Sequence, residues 1–324
     1  MLTTVIGNYP KIGVGSKAPN LRTAISRYQR GRISETELHQ IEDEVTVEVL
    51  ADQAGAGLDV VTDGQIRWDD PQTYFASAID GFIINGLIRY FDTNTYYRQP
   101  VAEGRLKWNR PASVDHYRFA EANSKLPVKA VVTGPYTLAS LSRWPSYAVL
   151  RDVVMDLAGI INQEARALAD AGAPIVQFDE PAILKQKGDI SLFSEAMSVM
   201  VEGVTAQTAL YTYFDDISGI ANEFLALPFD IIGLDFVMGS ANFQQLAGFP
   251  EDKILGLGII DARNTKAETV DEIVDQIRTV ASIVPVDRLH VSPSCGLEFL
   301  PRPTAYSKLV RLVEGVAKAR EVLS

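Results

Sequence analysis

The sequence predicts an α/β fold in which short parallel strands alternate with amphipathic helices along a chain of 324 residues. Eight runs of apolar and β-branched residues are nearly continuous, which is typical of parallel strands buried on both faces. These runs occupy residues 3–7, 58–63, 128–133, 174–179, 208–214, 230–236, 254–261 and 289–292. Helical patterns occupy residues 146–171, 190–207, 266–284 and 303–322. Eight strand–helix units in a single domain over residues 1–324 predict a (β/α)8 TIM barrel.

The main alternative to a barrel is a doubly wound open sheet, which usually carries a glycine-rich phosphate loop after its first strand. The first run here ends in the sequence GNYPK at residues 7–11. That sequence matches neither the G-x-G-x-x-G pattern nor a P-loop. The barrel is therefore the preferred fold.

Residues 81–110, after the second run, do not fit the strand–helix repeat. They contain apolar runs on both sides of Asn85 and Gly86, a residue pair that favours a tight hairpin turn. The pattern predicts a β-hairpin inserted after strand 2, beside the C-terminal mouth of the barrel, where active sites lie. A lid over a ligand and a packing flap both agree with this pattern.

Composition and charge exclude several classes of function. Hydrophobic residues make up 47% of the chain and charged residues 22%, with a mean hydropathy of +0.04, as in an ordinary globular protein. The net charge of −11 argues against a nucleic-acid partner, which requires clustered lysine and arginine. No apolar window approaches the roughly 18 residues of a membrane span, and the N-terminus has no signal-peptide pattern. A single cysteine permits no internal disulfide, which predicts a cytoplasmic protein. The lack of a long apolar window predicts that the protein has no membrane partner.

Polar residues gather where the predicted strands end. In a barrel the carboxyl ends of all strands face one mouth, so these side chains are expected to line a common pocket. Each of them alone also fits a helix cap or a turn. An acidic pocket suits a ligand with an ammonium group, or a metal ion. The candidates are Asn8, Asp63, Gln65, Thr133, Asp179, Glu180, Thr212, Asp235, Asp261, Arg263, Ser294 and Cys295.

The acidic pair Asp179 and Glu180 follows an apolar run and precedes Pro181, which ends the strand. Because the side chains of a strand alternate between its two faces, only one of the two carboxylates is expected to reach a ligand. We assign Asp179 to the ligand. The alternative role, a cap on the next element, falls to Glu180.

Cys295 is the single cysteine of the chain and lies where the last predicted strand gives way to a loop. A thiol in this place suits a metal ligand, a nucleophile or a small buried hydrophobic residue. His290 lies five residues earlier, inside the predicted strand, and this spacing matches no familiar zinc site. We therefore interpret His290 as a residue of the barrel wall.

Five stretches of sequence coincide with the predicted strands and their ends. They are TVIGNYP at 4–10, GLDVV at 57–61, VTGPYT at 132–137, QFDEPA at 177–182 and SPSCGL at 292–297. In order and spacing they resemble the cobalamin-independent methionine synthase family. The resemblance covers nearly the whole chain, as one barrel of that two-barrel enzyme.

The resemblance implies chemistry at a zinc ion. The family's catalytic barrel binds zinc through a His-x-Cys pair, a glutamate and a distant cysteine, and the zinc activates the homocysteine thiolate for methylation by a folate. Cys295 matches the distant cysteine, and Asp235 falls at the position of the glutamate. Thr208 and Leu210 replace the His-x-Cys pair. Because a catalytic zinc normally has three protein ligands, the resemblance implies an incomplete zinc site.

The resemblance also implies an amino-acid site. Asp179 is expected to hold the ammonium group of the substrate and Asn8 its carboxylate, while Arg98, in the predicted hairpin, meets an anionic donor tail. Gln65 stands where the family has a carboxylate for the ammonium, so a weaker neutral contact replaces an ion pair. Thr133, at the end of the third predicted strand, is a further candidate for substrate contact.

Two functions follow from the resemblance. The first is a methyltransferase that moves a methyl group from a folate or a methylcorrinoid to a thiol such as homocysteine, with Asp179 and Cys295 as catalytic residues. The second is a non-catalytic barrel that binds folate or works with a separate zinc-carrying barrel subunit. The missing zinc ligands favour the second, as do stretches similar to the family's zinc-free first barrel, such as GQIRWDD at 64–70 and GIIDARN at 258–264. The uroporphyrinogen decarboxylase and corrinoid or coenzyme M methyltransferase groups, which share this barrel, are a third alternative.

Overall fold

The structure is a computed structural model that describes residues 1–12 and 20–323. The strands in this part of the chain are β1 (Leu2–Thr3), β2 (Ile79–Arg89), β3 (Tyr96–Trp108), β4 (Ala130–Thr133), β5 (Ile175–Asp179), β6 (Gln207–Tyr211), β7 (Ile231–Asp235), β8 (Ile254–Ile260) and β9 (Leu289–Pro293). The α-helices are α1 (Leu21–Gln29), α2 (Glu35–Gly55), α3 (Pro71–Ser77), α4 (Val114–Asn123), α5 (Pro135–Ser140), α6 (Leu150–Asp170), α7 (Ile190–Val201), α8 (Ala221–Leu225), α9 (Asn242–Gln245), α10 (Val270–Ala281) and α11 (Arg302–Leu323).

Alternating strands and helices make this an α/β protein, and its chain divides into two compact units. The first unit comprises Met1–Arg67, Phe119–Val128 and Leu257–Ser324. The second unit comprises Trp68–Arg118 and Lys129–Gly256. None of the described helices is long and apolar enough to cross a membrane.

In the second unit, β4, β5, β6 and β7 lie side by side in that order, and each neighbouring pair runs parallel. Nearly all of their residues are buried, in agreement with the continuous apolar runs of the sequence. The register places Thr133 opposite Asp179, and Asp179 opposite Tyr211. Each of these residues ends its strand, so the three side chains share one edge of the sheet.

In the first unit, β1 pairs in parallel with β9, which in turn neighbours β8. Helix α11 packs against α2 and α10. Arg302, at the start of α11, donates to Asp52 of α2 at 2.6 Å and lies 3.3 Å from Glu48 of the same helix. This largely buried guanidinium fixes the C-terminal helix to the N-terminal part of the unit.

The second predicted strand, at 58–63, is wrong in extent, because the structure has a single β-bridge there, between Val61 and Val128. The side chain of Gln53 binds the backbone groups that a neighbouring strand would otherwise take. Its Nε2 donates to the carbonyl oxygen of Thr62 at 2.8 Å, and its Oε1 accepts from the Thr62 N–H at 3.0 Å. The side chain of Gln53 thus replaces part of the backbone hydrogen bonding that a neighbouring strand would provide.

Strands β2 and β3 form a separate antiparallel sheet. The prediction of a tight turn at Asn85 and Gly86 is wrong, because both residues lie inside β2, where the register of its pairing with β3 shifts. The turn forms later, where the N–H of Tyr90 donates to the carbonyl oxygen of Thr95 at 2.9 Å. Gly86 has a φ of +58°, and the Asn85 side chain accepts from its N–H at 2.8 Å. The pair therefore makes an irregularity within the strand.

Two glycines make room for the ring of Tyr211 in the second unit. A Cβ atom at Gly233 would overlap the ring, and one at Gly256 would lie 2.7 Å from the hydroxyl oxygen. Tyr211 is itself buried, and because protein interiors are close-packed its ring has little room to move. Both glycines are therefore required by packing around this tyrosine.

Gly233→Ala is expected to lower the free energy of unfolding by about 1–3 kcal/mol, as overpacking of a core does. Urea unfolding measures this loss. Gly159→Ala is the matched control, because a Cβ at this position of α6 meets no atom within 4 Å and alanine is the better helix former. Equal losses in the two variants would show that the Tyr211 ring does not need the space at Gly233.

Candidate functional site

A group of polar side chains extends from the start of β4 to the carboxyl ends of β5 and β6 in the second unit. We call Lys129, Gln177, Asp179, Tyr211 and Tyr213 the Asp179 cluster. Gln177 and Asp179 share one face of β5, because residues two apart in a strand point the same way. Lys129 directly precedes β4, and Tyr211 ends β6, so the two strands beside β5 supply these side chains. The parallel sheet thus assembles the cluster from three neighbouring strands.

Hydrogen bonds connect the Asp179 cluster in a chain. Lys129 Nζ donates to Gln177 Oε1 at 2.6 Å, and Gln177 Nε2 donates to Asp179 Oδ1 at 2.7 Å. The hydroxyl of Tyr213 lies 3.4 Å from Asp179 Oδ2, which is a long contact. Lys129 Nζ also lies 5.0 Å from the centre of the Tyr211 ring, within cation–π range. Oδ1 is therefore held firmly, whereas Oδ2 is bound only weakly.

Burial brings the pKa values of two groups in the cluster toward neutrality. Desolvation raises the pKa of Asp179 to about 7, although the Gln177 hydrogen bond and the charge of Lys129 lower it. Desolvation lowers the pKa of Lys129 to about 7, although the charge of Asp179 raises it. Asp179 keeps partial exposure at the end of β5. A cationic ligand at this carboxyl group would favour its ionised form.

Glu180 has a structural role beside the start of α5. Its buried carboxylate accepts hydrogen bonds from the N–H of Tyr136 at 2.8 Å and the N–H of Thr137 at 2.7 Å, and from Thr137 Oγ1 at 2.6 Å. Gly134 provides the necessary space, because a Cβ there would overlap this carboxylate. Burial raises the pKa of Glu180 to about 8 despite the hydrogen bonds. Adjacent carboxylates of one sequence motif thus have different surroundings.

The raised pKa of Glu180 predicts a loss of stability as the pH rises. An acid with a higher pKa in the folded chain binds more protons when folded, so its stabilising effect is complete below the unfolded value and is lost through the folded value. For Glu180 this window runs from 4.5 to about 8. Urea unfolding between about pH 5 and about pH 8 should therefore show a smaller fall for Glu180→Gln than for the wild type. Equal falls in both proteins would contradict the raised pKa.

Two further residues that are predicted to contact the substrate lie in the second unit. Thr133, opposite Asp179 in the sheet, donates through Oγ1 to the carbonyl oxygen of Pro71 at 3.1 Å. Arg98 lies in β3 with an exposed side chain, and its N–H donates to Thr73 Oγ1 at 3.2 Å. The register brings Thr133 to the edge that carries Asp179, and Arg98 is exposed to solvent.

Three candidates lie in the first unit. The carbonyl oxygen of Asn8 accepts from the N–H of Leu297 at 2.8 Å, which joins the segment after β1 to the loop that contains Cys295. The Sγ atom of Cys295 is buried, 3.6 Å from the carbonyl oxygen of Gly296. Gln65 is buried with a φ of +52°, and its Oε1 has no hydrogen-bond partner among the described residues. A buried acceptor of this kind suits a donor on a ligand.

The carboxylate expected to bind zinc is occupied by backbone donors. Asp235 is buried, and it accepts hydrogen bonds from the N–H groups of Phe214 at 3.0 Å, Val237 at 2.8 Å and Met238 at 2.9 Å. Both of its oxygens take part. These contacts give the aspartate a role in shaping the loop after β7.

The two positions expected for a His-x-Cys pair also serve the fold. Thr208 donates to Asp230 Oδ2 through its N–H at 2.7 Å and its Oγ1 at 3.0 Å, and Leu210 is completely buried in β6. Within residues 1–12 and 20–323, no group of three or more His, Cys, Asp and Glu side chains is placed to hold a metal ion. These residues do not fit a catalytic zinc centre, which needs three protein ligands.

Protein purified without chelator and then supplied with zinc is expected to contain well below one zinc per chain by elemental analysis, because the ligand set is incomplete. The same measurement on Cys295→Ser is expected to give the same low value. A content near one zinc per chain that disappears in Cys295→Ser would contradict this expectation.

The sequence pattern does not single out Lys129 and Gln177. Each is an internal polar residue of a run, at 128–133 and 174–179, whose other polar residue stands at the strand end. For Gln177 a signal exists, because it lies two residues before Asp179 and so shares its face of the strand. Lys129 meets Gln177 through the pairing of β4 with β5, which the sequence alone does not provide.

Comparison with known proteins decides the family of this chain. Residues 1–319 match the family model described as "Cobalamin-independent synthase, Catalytic domain". The chain belongs to the cobalamin-independent methionine synthase family. A protein named Methionine synthase from Saccharolobus solfataricus is 37% identical over 328 residues, which cover 99% of this chain and 95% of that protein. Another of that name, from Sulfurisphaera tokodaii, is 34% identical over 324 residues, with 99% and 93% covered.

Solved structures of methionine synthases share the fold. A B12-independent methionine synthase from Shewanella sp. W3-18-1, in complex with selenomethionine, matches with a TM-score of 0.84 at 21% identity, covering 100% of this chain and 99% of that one. A putative vitamin-B12 independent methionine synthase from Listeria monocytogenes matches with a TM-score of 0.78 at 17% identity, covering 98% and 96%. The family predicted from the five sequence stretches is confirmed.

Proposed function

We propose that this member of the methionine synthase family transfers a methyl group to the thiol of an amino acid such as homocysteine. The observation that carries the proposal is the Asp179 carboxylate, whose Oδ1 is fixed by Gln177 at 2.7 Å while Oδ2 has a weak contact at 3.4 Å. The name Methionine synthase of a relative 37% identical to this chain supports this reaction. The (β/α)8 barrel predicted from the sequence is part of the proposal, and the TM-score of 0.84 supports this fold. A lid formed by β2 and β3 is a further part of the proposal.

Asp179 is suited to the ammonium group of an amino acid. A charge-assisted hydrogen bond between an ammonium and a carboxylate is stronger than a neutral one, and partial desolvation strengthens it further. Burial brings the pKa of this carboxyl to about 7, so the group is available as a carboxylate above neutral pH. The ligand's positive charge then stabilises the ionised form.

In this proposal the chain acts by binding and orientation. Methylation forms a carbon–sulfur bond, breaks the bond between the methyl group and its donor, and releases the thiol proton. Holding the amino acid by its ammonium fixes the distance and direction at which its thiol meets the donor. The roles of Asn8, Gln65, Thr133, Arg98 and Cys295 remain predictions of the family resemblance.

A second candidate function is a partner barrel that binds folate or amino acid but needs a separate zinc-carrying subunit for turnover. The observation that favours this function is the lack of zinc ligands at positions where the family has them. Thr208 and Leu210 offer no imidazole or thiolate, and the oxygens of Asp235 are taken by three backbone N–H groups. Under this alternative, Asp179 keeps its role in binding.

Methionine formation distinguishes the two functions. The protein is incubated with homocysteine and either 5-methyltetrahydrofolate or methylcobalamin, alone and mixed with a zinc-containing catalytic barrel of the family. Methionine formed by the protein alone supports the methyltransferase. Methionine formed faster by the mixture than by the added barrel supports the partner function. A mixture no faster than the added barrel, together with an inactive protein, would reject both.

A further inference from the structure

Lys129 is a buried lysine to which the proposed function assigns no role. The residue is 3% exposed, and lysines are almost never fully buried unless they are paired. Its hydrogen bond of 2.6 Å goes to Gln177 Oε1, the oxygen of a neutral amide. The negative charge of Asp179 follows one hydrogen bond later, at 2.7 Å from the nitrogen of the same amide. Lysine and aspartate are thus connected through one glutamine.

The lysine determines which way the amide of Gln177 faces. In its protonated form, which the charge of Asp179 favours, Lys129 has hydrogen-bond donors and no acceptor, so it requires the amide oxygen on its side. The amide NH2 group is then directed at Asp179 Oδ1, where it acts as a donor. A reversed amide would place its oxygen against the carboxylate. The ammonium of Lys129 therefore keeps a donor on Asp179.

Lys129 supplies the positive charge that favours the ionisation of Asp179, in addition to the hydrogen bonds from Gln177 and Tyr213. Glu180, the next residue in the chain, has a pKa that burial raises to about 8. Burial and the charge of Asp179 raise the pKa of Tyr211, and the hydroxyl of Tyr213 contacts Oδ2 at 3.4 Å. The positive charge of Lys129 lowers the pKa of Asp179. Loss of that charge would therefore favour the protonated carboxyl.

We propose that Lys129 is a positioning residue of the amino-acid site, which orients Gln177 and whose charge favours the carboxylate form of Asp179, so that Oδ2 meets the ammonium of the ligand. The inference rests on the proposed function for the ligand's identity. The link between the lysine and the aspartate is a property of the ligand-free protein.

Lys253 is a second buried lysine of the same unit, and it donates hydrogen bonds to backbone groups. It is 8% exposed, and its Nζ donates to the carbonyl oxygens of Leu227 and Phe229, each at 2.7 Å. These partners are backbone groups that brace the turn before β7. Lys129 differs because its partner is a side chain that in turn binds a carboxylate. Lys253→Gln is therefore a matched control for Lys129→Gln.

Titration of Asp179 tests the proposal without any ligand. In protein labelled with 13C at aspartate carboxyl carbons, the signal that disappears in Asp179→Asn belongs to Asp179, and its midpoint is measured against pH. Lys129→Gln keeps a donor for Gln177 and removes the charge, so the midpoint is expected to rise by about one pH unit, a tenfold change in the ionisation constant. Lys253→Gln is expected to leave it unchanged. An unchanged midpoint in Lys129→Gln would overturn the proposal.

A reciprocal measurement keeps the test valid if Lys129→Gln does not fold. Coupling between two groups acts equally on both. In protein labelled at lysine Cε, Asp179→Asn is expected to lower the pKa of Lys129, because the stabilising negative charge is lost. An unchanged lysine pKa would also overturn the proposal.

Binding of homocysteine separates this inference from the proposed function. In the wild type, affinity measured by calorimetry is expected to fall as the pH drops through the Asp179 midpoint. Lys129→Gln should move this fall upward by about one pH unit. A wild type that binds no amino acid but shows the shifted carboxyl midpoint would reject the function and leave the link intact. A wild type that binds, with equal pH profiles in both proteins, would reject the positioning role.

Discussion

Asp179→Asn is expected to weaken the binding of homocysteine about 100-fold, which corresponds to roughly 2.7 kcal/mol. Removing one partner of a partly buried charge pair typically costs about 2–5 kcal/mol of binding free energy. Asparagine has nearly the same shape, and its Oδ1 still accepts the hydrogen bond that Gln177 Nε2 makes at 2.7 Å in the wild type. The fold is therefore expected to persist while the charge is lost. Calorimetric titration above neutral pH, where Asp179 is ionised, measures the effect.

Asp215→Asn is the control for this experiment. Asp215 lies in the same unit and pairs with Lys185 at 2.9 Å on the surface. The pair is well exposed to solvent, so its loss is expected to leave homocysteine binding unchanged. Equal affinities of Asp179→Asn and the wild type would show that Asp179 does not bind the ammonium group of homocysteine. The proposed function would then lose the observation that supports it.

Glu180→Ala is expected to lower the free energy of unfolding by about 3–5 kcal/mol. The substitution takes the acceptor from two N–H groups and one hydroxyl that now bind at 2.6–2.8 Å, and each buried donor left unpaired costs about 1–3 kcal/mol. It also leaves a cavity beside Gly134, where the carboxylate now lies. Urea unfolding followed by circular dichroism measures the loss.

Glu195→Ala is the control for Glu180→Ala, because Glu195 makes a surface ion pair with Arg151. Surface pairs contribute little to stability, so the urea midpoint of this variant is expected to stay near that of the wild type. A small change in Glu180→Ala would mean that solvent or other groups satisfy the donors at the start of α5.

The fold follows from the sequence where apolar runs are also strands of the sheet. The run at 174–179 becomes β5, and the run at 230–236 contains β7, because strands buried on both faces need continuous apolar residues. The run at 58–63 has the same composition but contributes a single bridge. There a glutamine from α2, Gln53, binds the backbone of Thr62. Composition does not reveal that a side chain nine residues earlier competes for these backbone hydrogen bonds.

The turn of the two-stranded sheet shows a second limit of local rules. Asn-Gly favours a tight turn, yet Asn85 and Gly86 lie within β2, and the chain reverses between Tyr90 and Thr95. The pairing of the long strands β2 and β3 decides where the chain turns. The pairing of β2 with β3 has overridden the preference of Asn85 and Gly86 for a tight turn.

The candidate site was predictable in part. Asp179 follows from its place at the end of an apolar strand, and the change of ligands at Thr208 and Leu210 is visible in the sequence once the family is recognised. Lys129 and Gln177 look like isolated polar residues until the register of β4 with β5 places them together. Networks between strands depend on pairing, whereas strand-end residues depend on local pattern alone.

The central claim is that the chain holds an amino acid by its ammonium group, and one comparison of ligands tests it most directly. Calorimetry is performed on the wild type with homocysteine and with 4-mercaptobutanoate, which is homocysteine without the amino group. The carboxylate of Asp179 predicts that homocysteine binds about 100-fold more tightly, because the analogue leaves that charge unpaired. Equal affinities, or no binding of homocysteine, would contradict the account.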